Sequence, residues 1–260
     1  MSLRRRAGWL PLLAALLLGP APLRAADPHA LWQIVHGRCV PDQDLHRDPA
    51  PCVTVDEPAG FAVLKDIVGP EQLLLIPTSR IAGIEDPVLL RPDAPNYFAA
   101  AWAQLPRVEA LLHRALPRDD LSLAINSVYG RSQDQMHIHI DCIGRAVQDA
   151  LAAALADIGP QWRDLPVTLS GHRYRAMRLA GGRLAGVNPF RLLAASLPDP
   201  QRQMGRHTLV LVGARFPEPG FVLLDGSLDL LRLDRASGEE LQDHSCAILR
   251  AGGQRLSAAR

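Results

Sequence analysis

The sequence predicts an α+β fold: a mainly antiparallel sheet with helices packed on it. Three observations carry this reading. Residues 61–67 and 72–77 are apolar runs on either side of a turn at Val68, Gly69, Pro70 and Glu71, the pattern of a hairpin. Residues 136–142 alternate strictly, with Met136, Ile138 and Ile140 set between His137, His139 and Asp141, which is the period-two mark of a strand. Residues 144–159 instead place Val147, Leu151, Leu155 and Ile158 on one stripe of a helix.

The elements follow in order. Arg4, Arg5 and Arg6 precede an apolar run, Ala7 to Leu18, then Gly19, Pro20 and small residues up to Ala25 and Ala26. This is the layout of a secretory signal. The run is shorter than the roughly 20 residues of a membrane span, but prolonged to Leu23 it becomes an uncleaved anchor. Residues 1–26 are therefore read as signal peptide or N-terminal membrane anchor. The basic flank keeps them at the cytoplasmic side and places the rest beyond the inner membrane, on its periplasmic side or free in the periplasm. Residues 27–260 are read as a single domain, with a core at about 60–145 and a β-rich extension at about 165–250.

Asp27 and Pro28 open a predicted helix over 27–38. A Pro/Asp-rich loop over 39–60 contains a short strand at 53–55. After the hairpin and a connection over 78–87, helical segments are expected at 96–105 and 108–116, and a strand at 121–126. Beyond the helix at 144–159, strands are expected at 174–179, 207–212 and 221–224, a helix at 189–196, and a tail from Gly238. The formal net charge of +1 gives no electrostatic case for a nucleic-acid partner. Four cysteines in an exported chain favour disulfides. Of three pairings, the nearness of Cys39 and Cys52 favours joining them, which leaves Cys142 with Cys246.

The chemistry concentrates at residues 126–142. Two imidazoles and a carboxylate project from one face of a strand, a stiff platform for a site. Upstream, Gly130, Arg131 and Ser132 form a turn in which backbone N–H groups, a guanidinium and a hydroxyl can cradle an anion. The set admits three readings. One is an ordinary strand, which would leave three polar groups in a core at high cost. Another is a zinc site, which would need a further ligand such as His172 or His207, because a strand spreads its ligands. The third is attack by a histidine on phosphorus, and it is the one favoured here.

The run NSxxGRSQDQxHIHIDC at 126–142 resembles the histidine triad (HIT) superfamily, and within it the CDP-diacylglycerol pyrophosphatase branch. That resemblance implies a HIT-like fold in which His139 is the nucleophile and His137 and Asn126 lie at the site. Asp141 stands where the superfamily has its third histidine, a departure that changes the proton accounting. Asp66, in the first hairpin strand, matches a nucleoside-pocket position and is a candidate ribose contact. The resemblance also implies that the C-terminal half extends the sheet, or that two copies pair as a homodimer. The implied substrate is CDP-diacylglycerol, met at a membrane surface, with no metal or other cofactor. Arg173 and Arg175 are candidate contacts to its diphosphate. Two other functions fit the same residues: an exported hydrolase of soluble nucleotide diphosphates, and a periplasmic metal-binding protein.

Overall fold

The computed structural model describes residues 27–249, so the expected export signal or anchor lies outside the described residues. A helix, α1 (Ala30–Ile34), runs through a π turn at Val35–Cys39 directly into α2 (Val40–His46). The expected break at residue 38 does not occur. Pro41 falls in the first turn of α2, where its missing N–H costs nothing, and Arg47 ends the helix in the left-handed conformation.

Strands β1 (Cys52–Asp56), β2 (Phe61–Lys65) and β3 (Leu73–Pro77) form the hairpin region. Two short helices follow, α3 (Tyr97–Trp102), capped by Asn96, and α4 (Leu105–Leu112). Next come β4 (Leu121–Ile125), β5 (Ile138–Cys142) and α5 (Arg145–Ala154). The second half supplies β6 (Arg163–Asp164), β7 (Tyr174–Ala180), α6 (Pro189–Ala195), α7 (Pro200–Gln203), β8 (His207–Arg215) and β9 (Pro219–Ser227).

All nine strands join one sheet in the order β1-β2-β3-β5-β4-β8-β9-β7-β6, and every pairing is antiparallel. The C-terminal half does extend the sheet. The join is β4 against β8, with Leu123 opposite Leu211, so β8 of the same chain covers the edge of β4.

The two faces have different cores. One carries Leu73, Leu75, Leu121, Leu123, Ile138 and Ile140 together with the side chains of α3, α5 and α6. The other carries Ala62, Leu64, Leu74 and Ile76 under Leu31 and Val35 of the N-terminal helix. Because strand side chains alternate, His139 and Asp141 share this second face with Leu74, Ala124 and Ser122, their pairing partners. Both expected disulfides form, Cys39–Cys52 and Cys142–Cys246, with Cα–Cα distances of 5.6 and 5.3 Å. No described helix is long and apolar enough to cross a membrane.

Beyond β9 the chain turns back over the second face. At Gly238, in a 3-10 turn over Gly238–Leu241, an added Cβ would lie 2.5 Å from both Thr208 Oγ1 and Val210 Cγ2. Only glycine lets this segment lie flat on the sheet, and that contact carries the next residue, Glu239, to the histidine strand.

Candidate active site

His139 sits at the middle of the sheet and is 5 % exposed. Its Nδ1 faces Gln72 Nε2 at 2.9 Å, and its Nε2 faces Glu239 Oε2 at 3.4 Å. Burial, with the neighbouring His137 and His244, pushes its pKa well below 6.5 and keeps the ring neutral. His137 Nδ1 donates to the Gln135 carbonyl at 2.8 Å, and its ring meets that of His139 edge-on at 4.8 Å. Burial lowers the His137 pKa as well.

A cavity of about 370 Å³ opens at His137 and His139. Asn126, Gly130, Ser132, Asp66 and Glu239 line it on the polar side, and Leu31, Ile34, Leu64, Leu74, Ile67 and Val68 on the apolar side. Four stretches of the chain, the N-terminal helix, the hairpin, the turn at 126–132 and the tail, thus converge on the histidines. Asp66 is at the cavity wall, while one of its oxygens also accepts the Val68 N–H in the hairpin turn. Asn126 is clamped to the tail: its Nδ2 donates to Glu239 Oε2 at 3.1 Å, and its Oδ1 accepts the Glu239 N–H at 3.2 Å.

Two expectations for the turn are corrected. Arg131 does not face the cavity. Its guanidinium, 9 % exposed, is paired with Glu85 at 2.7 Å and Asp134 at 3.2 Å. It passes so close to Gly83 that a Cβ there would collide with it. Nor are the Gly130 and Arg131 N–H groups turned to an anion, since both donate to Ser127. The sequence placed a cradle at these residues because their types suit one, but whether an N–H is already used depends on the turn's own hydrogen bonds.

Asp141 is fully buried and does not line the cavity. Its Oδ1 accepts the Cys142 N–H at 2.7 Å, and its Oδ2 holds Nδ1 of His244 at 2.6 Å. Burial raises the Asp141 pKa, with His244 opposing the shift. The hydrogen bond to Asp141 raises the pKa of His244. His244 Nε2 then lies 3.6 Å from Glu239 Oε1. The tail therefore places an imidazole on the Asp141 carboxylate. Sequence reading missed His244, Glu239 and Gln72. The tail's only signal was Cys246, two residues beyond His244, and its disulfide to the end of the histidine strand.

Glu71 is buried beside Asp141, and neither of its carboxyl oxygens has a hydrogen-bond partner. Burial and the Asp141 charge push its pKa up to about 7. His172 and His207 are not brought to the site: His172 pairs with Asp234 at 3.0 Å, and His207 with Asp225 at 2.7 Å. Arg175 pairs with Asp225 too, and with Arg173 it lines a separate cavity of about 460 Å³. Glu71, Cys142 and Cys246 cluster closely, but the two cysteines are bonded to each other.

A buried, neutral imidazole stands in the wall of the cavity at the histidine strand with a second, more basic imidazole beyond it, and the relatives of the chain make it a hydrolase. A model described as CDP-diacylglycerol pyrophosphatase matches residues 26–250. The CDP-diacylglycerol pyrophosphatase of Yersinia pestis is 45 % identical over 251 residues, covering 95 % of this chain and 96 % of that protein. The chain belongs to the CDP-diacylglycerol pyrophosphatase family.

Proposed function

We propose that this chain hydrolyses the diphosphate of CDP-diacylglycerol to CMP and phosphatidate, a step of phospholipid metabolism, through a nucleotidyl-histidine on His139. The observation that carries the mechanism is the neutral, buried His139 in the cavity wall, its Nε2 covered by the Glu239 carboxylate at 3.4 Å, in a chain of this family. Attack needs a lone pair on Nε2, so Nδ1 must hold the proton. Gln72 can supply the acceptor. Its Oε1 is buried without a partner, and turning the amide brings that oxygen onto Nδ1. Nε2 then attacks the phosphorus attached to cytidine, phosphatidate leaves, and water releases CMP from the histidine.

Asn126 and Ser132 are the groups that meet phosphoryl oxygens, with Gly130 only part of the cavity wall, and Asp66 is the group that meets the ribose. Arg131 acts from behind, holding the turn through Glu85 and Asp134. His137 orients its neighbour. The HIT-like reading of residues 27–260 as one domain is supported by the unbroken sheet and by the disulfide between Cys142 and Cys246.

Placement beyond the inner membrane rests on the N-terminal pattern and on two disulfides, which persist in oxidising compartments. A membrane surface as partner is supported by Leu230, Leu231 and Leu233, which are 64, 99 and 86 % exposed beside Arg232 and Arg235. The Arg235 carbonyl of this segment accepts the Ser127 hydroxyl, tying it to the turn at the cavity.

The test is release of CMP from CDP-diacylglycerol in detergent, with a chelator present, by wild type and His139→Ala. Release by the wild type alone supports the reading. Equal release by both removes His139 from the nucleophile role. Release only from water-soluble diphosphates moves the substrate to that class, and loss of wild-type activity with the chelator points to a metal.

A further inference from the structure

We propose that His244, carried on the C-terminal tail, is the acid–base catalyst of this reaction, and that the substrate's diphosphate takes the place of the Glu239 carboxylate between His244 and His139. This rests on the function proposed above.

The geometry is that of an occupied anion seat. Glu239 Oε2 faces His139 Nε2 at 3.4 Å, and Oε1 faces His244 Nε2 at 3.6 Å. Asn126 Nδ2 donates to Oε2 at 3.1 Å. His244 Nε2 and the Asn126 amide thus face the two oxygens of one anion, which covers the His139 Nε2 lone pair. A phosphoryl group entering as Glu239 leaves can turn its phosphorus to the His139 Nε2 lone pair and its oxygens to His244 Nε2–H and Asn126 Nδ2–H. Glu239 is on the exposed side of this arrangement, its side chain 29 % accessible, and can swing outward.

The two rings are electrostatically opposite. His139 is buried against His137 and held neutral, as a nucleophile must be. His244 is 31 % exposed and pinned through Nδ1 to the buried Asp141, so it keeps its proton longer. Environments that drive two like groups apart are how acid and base roles are divided at one pH. The groups facing His244 are Asp141 and His139 from β5, Glu239 from the tail and Asp66 from the hairpin, with Glu71 behind Asp141. The pair is also tethered covalently, since Cys142 adjoins Asp141 and its disulfide partner Cys246 is two residues past His244.

The steps balance. His139 Nε2 forms a bond to the cytidine-side phosphorus while the bond from that phosphorus to the bridging oxygen breaks. That oxygen leaves with phosphatidate and receives the proton of His244 Nε2–H. Neutral His244 then takes a proton from water as the water oxygen bonds to phosphorus. The phosphorus–nitrogen bond breaks, its electron pair returns to His139, CMP departs, and His244 is protonated again. Phosphatidate leaves as a stabilised anion, so losing the acid slows the first step less than losing the base slows the second.

The experiment is rapid mixing with CDP-diacylglycerol in detergent, followed by intact-mass analysis under alkaline quench, where phosphohistidine bonds survive. His244→Asn is expected to release about one phosphatidate per enzyme, accumulate cytidylyl-enzyme and turn over roughly 10²–10⁴-fold more slowly, the range for a lost general acid–base group. Slow turnover with no accumulation, or unchanged turnover, overturns the proposal. In the wild type, which carries no folding doubt, the phosphatidate burst should slow as pH rises through the His244 titration while CMP release quickens. Parallel or flat profiles overturn it. Turnover by His139→Ala is a different failure, that of the histidine-nucleophile reading.

Discussion

His139 and His244, 105 positions apart in sequence, point their Nε2 atoms at the two oxygens of Glu239, at 3.4 and 3.6 Å. A carboxylate in the seat meant for a phosphoryl group competes with substrate. Glu239→Gln removes the charge and keeps the shape, so its KM for CDP-diacylglycerol should fall several-fold while kcat stays within a few-fold of wild type. A large loss of kcat at unchanged KM would instead make Glu239 a proton carrier. Steady-state kinetics in mixed micelles separates the two.

Asp141→Asn should shift the pH profile. The carboxylate raises the pKa of His244, so the His244 proton persists above the ordinary value of 6.5. With asparagine that hold is gone, and the fall of the phosphatidate burst should move to lower pH. The burst rate against pH in both proteins checks this.

Gln72→Leu leaves His139 Nδ1 without a polar neighbour at 2.9 Å. The ring then has nothing to fix its tautomer, and the cost of an unpaired buried group is about 1–3 kcal/mol. The expectation is a kcat loss of roughly tenfold to a hundredfold with KM little changed, and partial recovery in Gln72→Glu, which restores an acceptor.

Acid should destabilise the fold through the same histidines. The folded pKa values of His137 and His139 are depressed by burial. The unfolded chain therefore takes up protons at these sites first, near 6.5, and stability present above that pH is lost as pH falls below it. Thermal unfolding at stepped pH should show the midpoint dropping over this window, and less so in His137→Phe.

The disulfide between Cys142 and Cys246 spans 104 residues, so its loss should cost about 4–5 kcal/mol by the chain-entropy account. It should also cost activity beyond that, because Glu239 and His244 ride on the tethered segment. Cys246→Ser compared with Cys52→Ser, each assayed below its melting temperature, tests the difference: only the first should lose turnover.

A membrane role for the exposed leucines is testable separately. Leu230→Ser, Leu231→Ser and Leu233→Ser together should weaken sedimentation with anionic vesicles several-fold. Hydrolysis of detergent-dispersed substrate should be unaffected.

Much of this was present in the order of residues. Alternation at 136–142 predicted a strand, which runs over Ile138–Cys142 with His137 just before it, and His139 and Asp141 lie on one face because side-chain direction along a strand is a local property. The hairpin and the stripe of α5 were legible for the same reason. The loop expected from residue 39 was a helix to His46 instead, since Pro41 falls where a helix tolerates it and Val35 and Cys39 gain a buried face. The partners of the histidine strand were decided only in three dimensions. Arg131 was drawn off by Glu85 and Asp134, and the Gly130 amide by Ser127, choices set by which acceptors the fold brings near. Asp141 found an imidazole not on its own strand but at position 244, because Gly238 lets the tail lie on the sheet and Cys246 anchors its end. Sequence periodicity sets which way a side chain points. What it meets there depends on long-range packing, which no local pattern records.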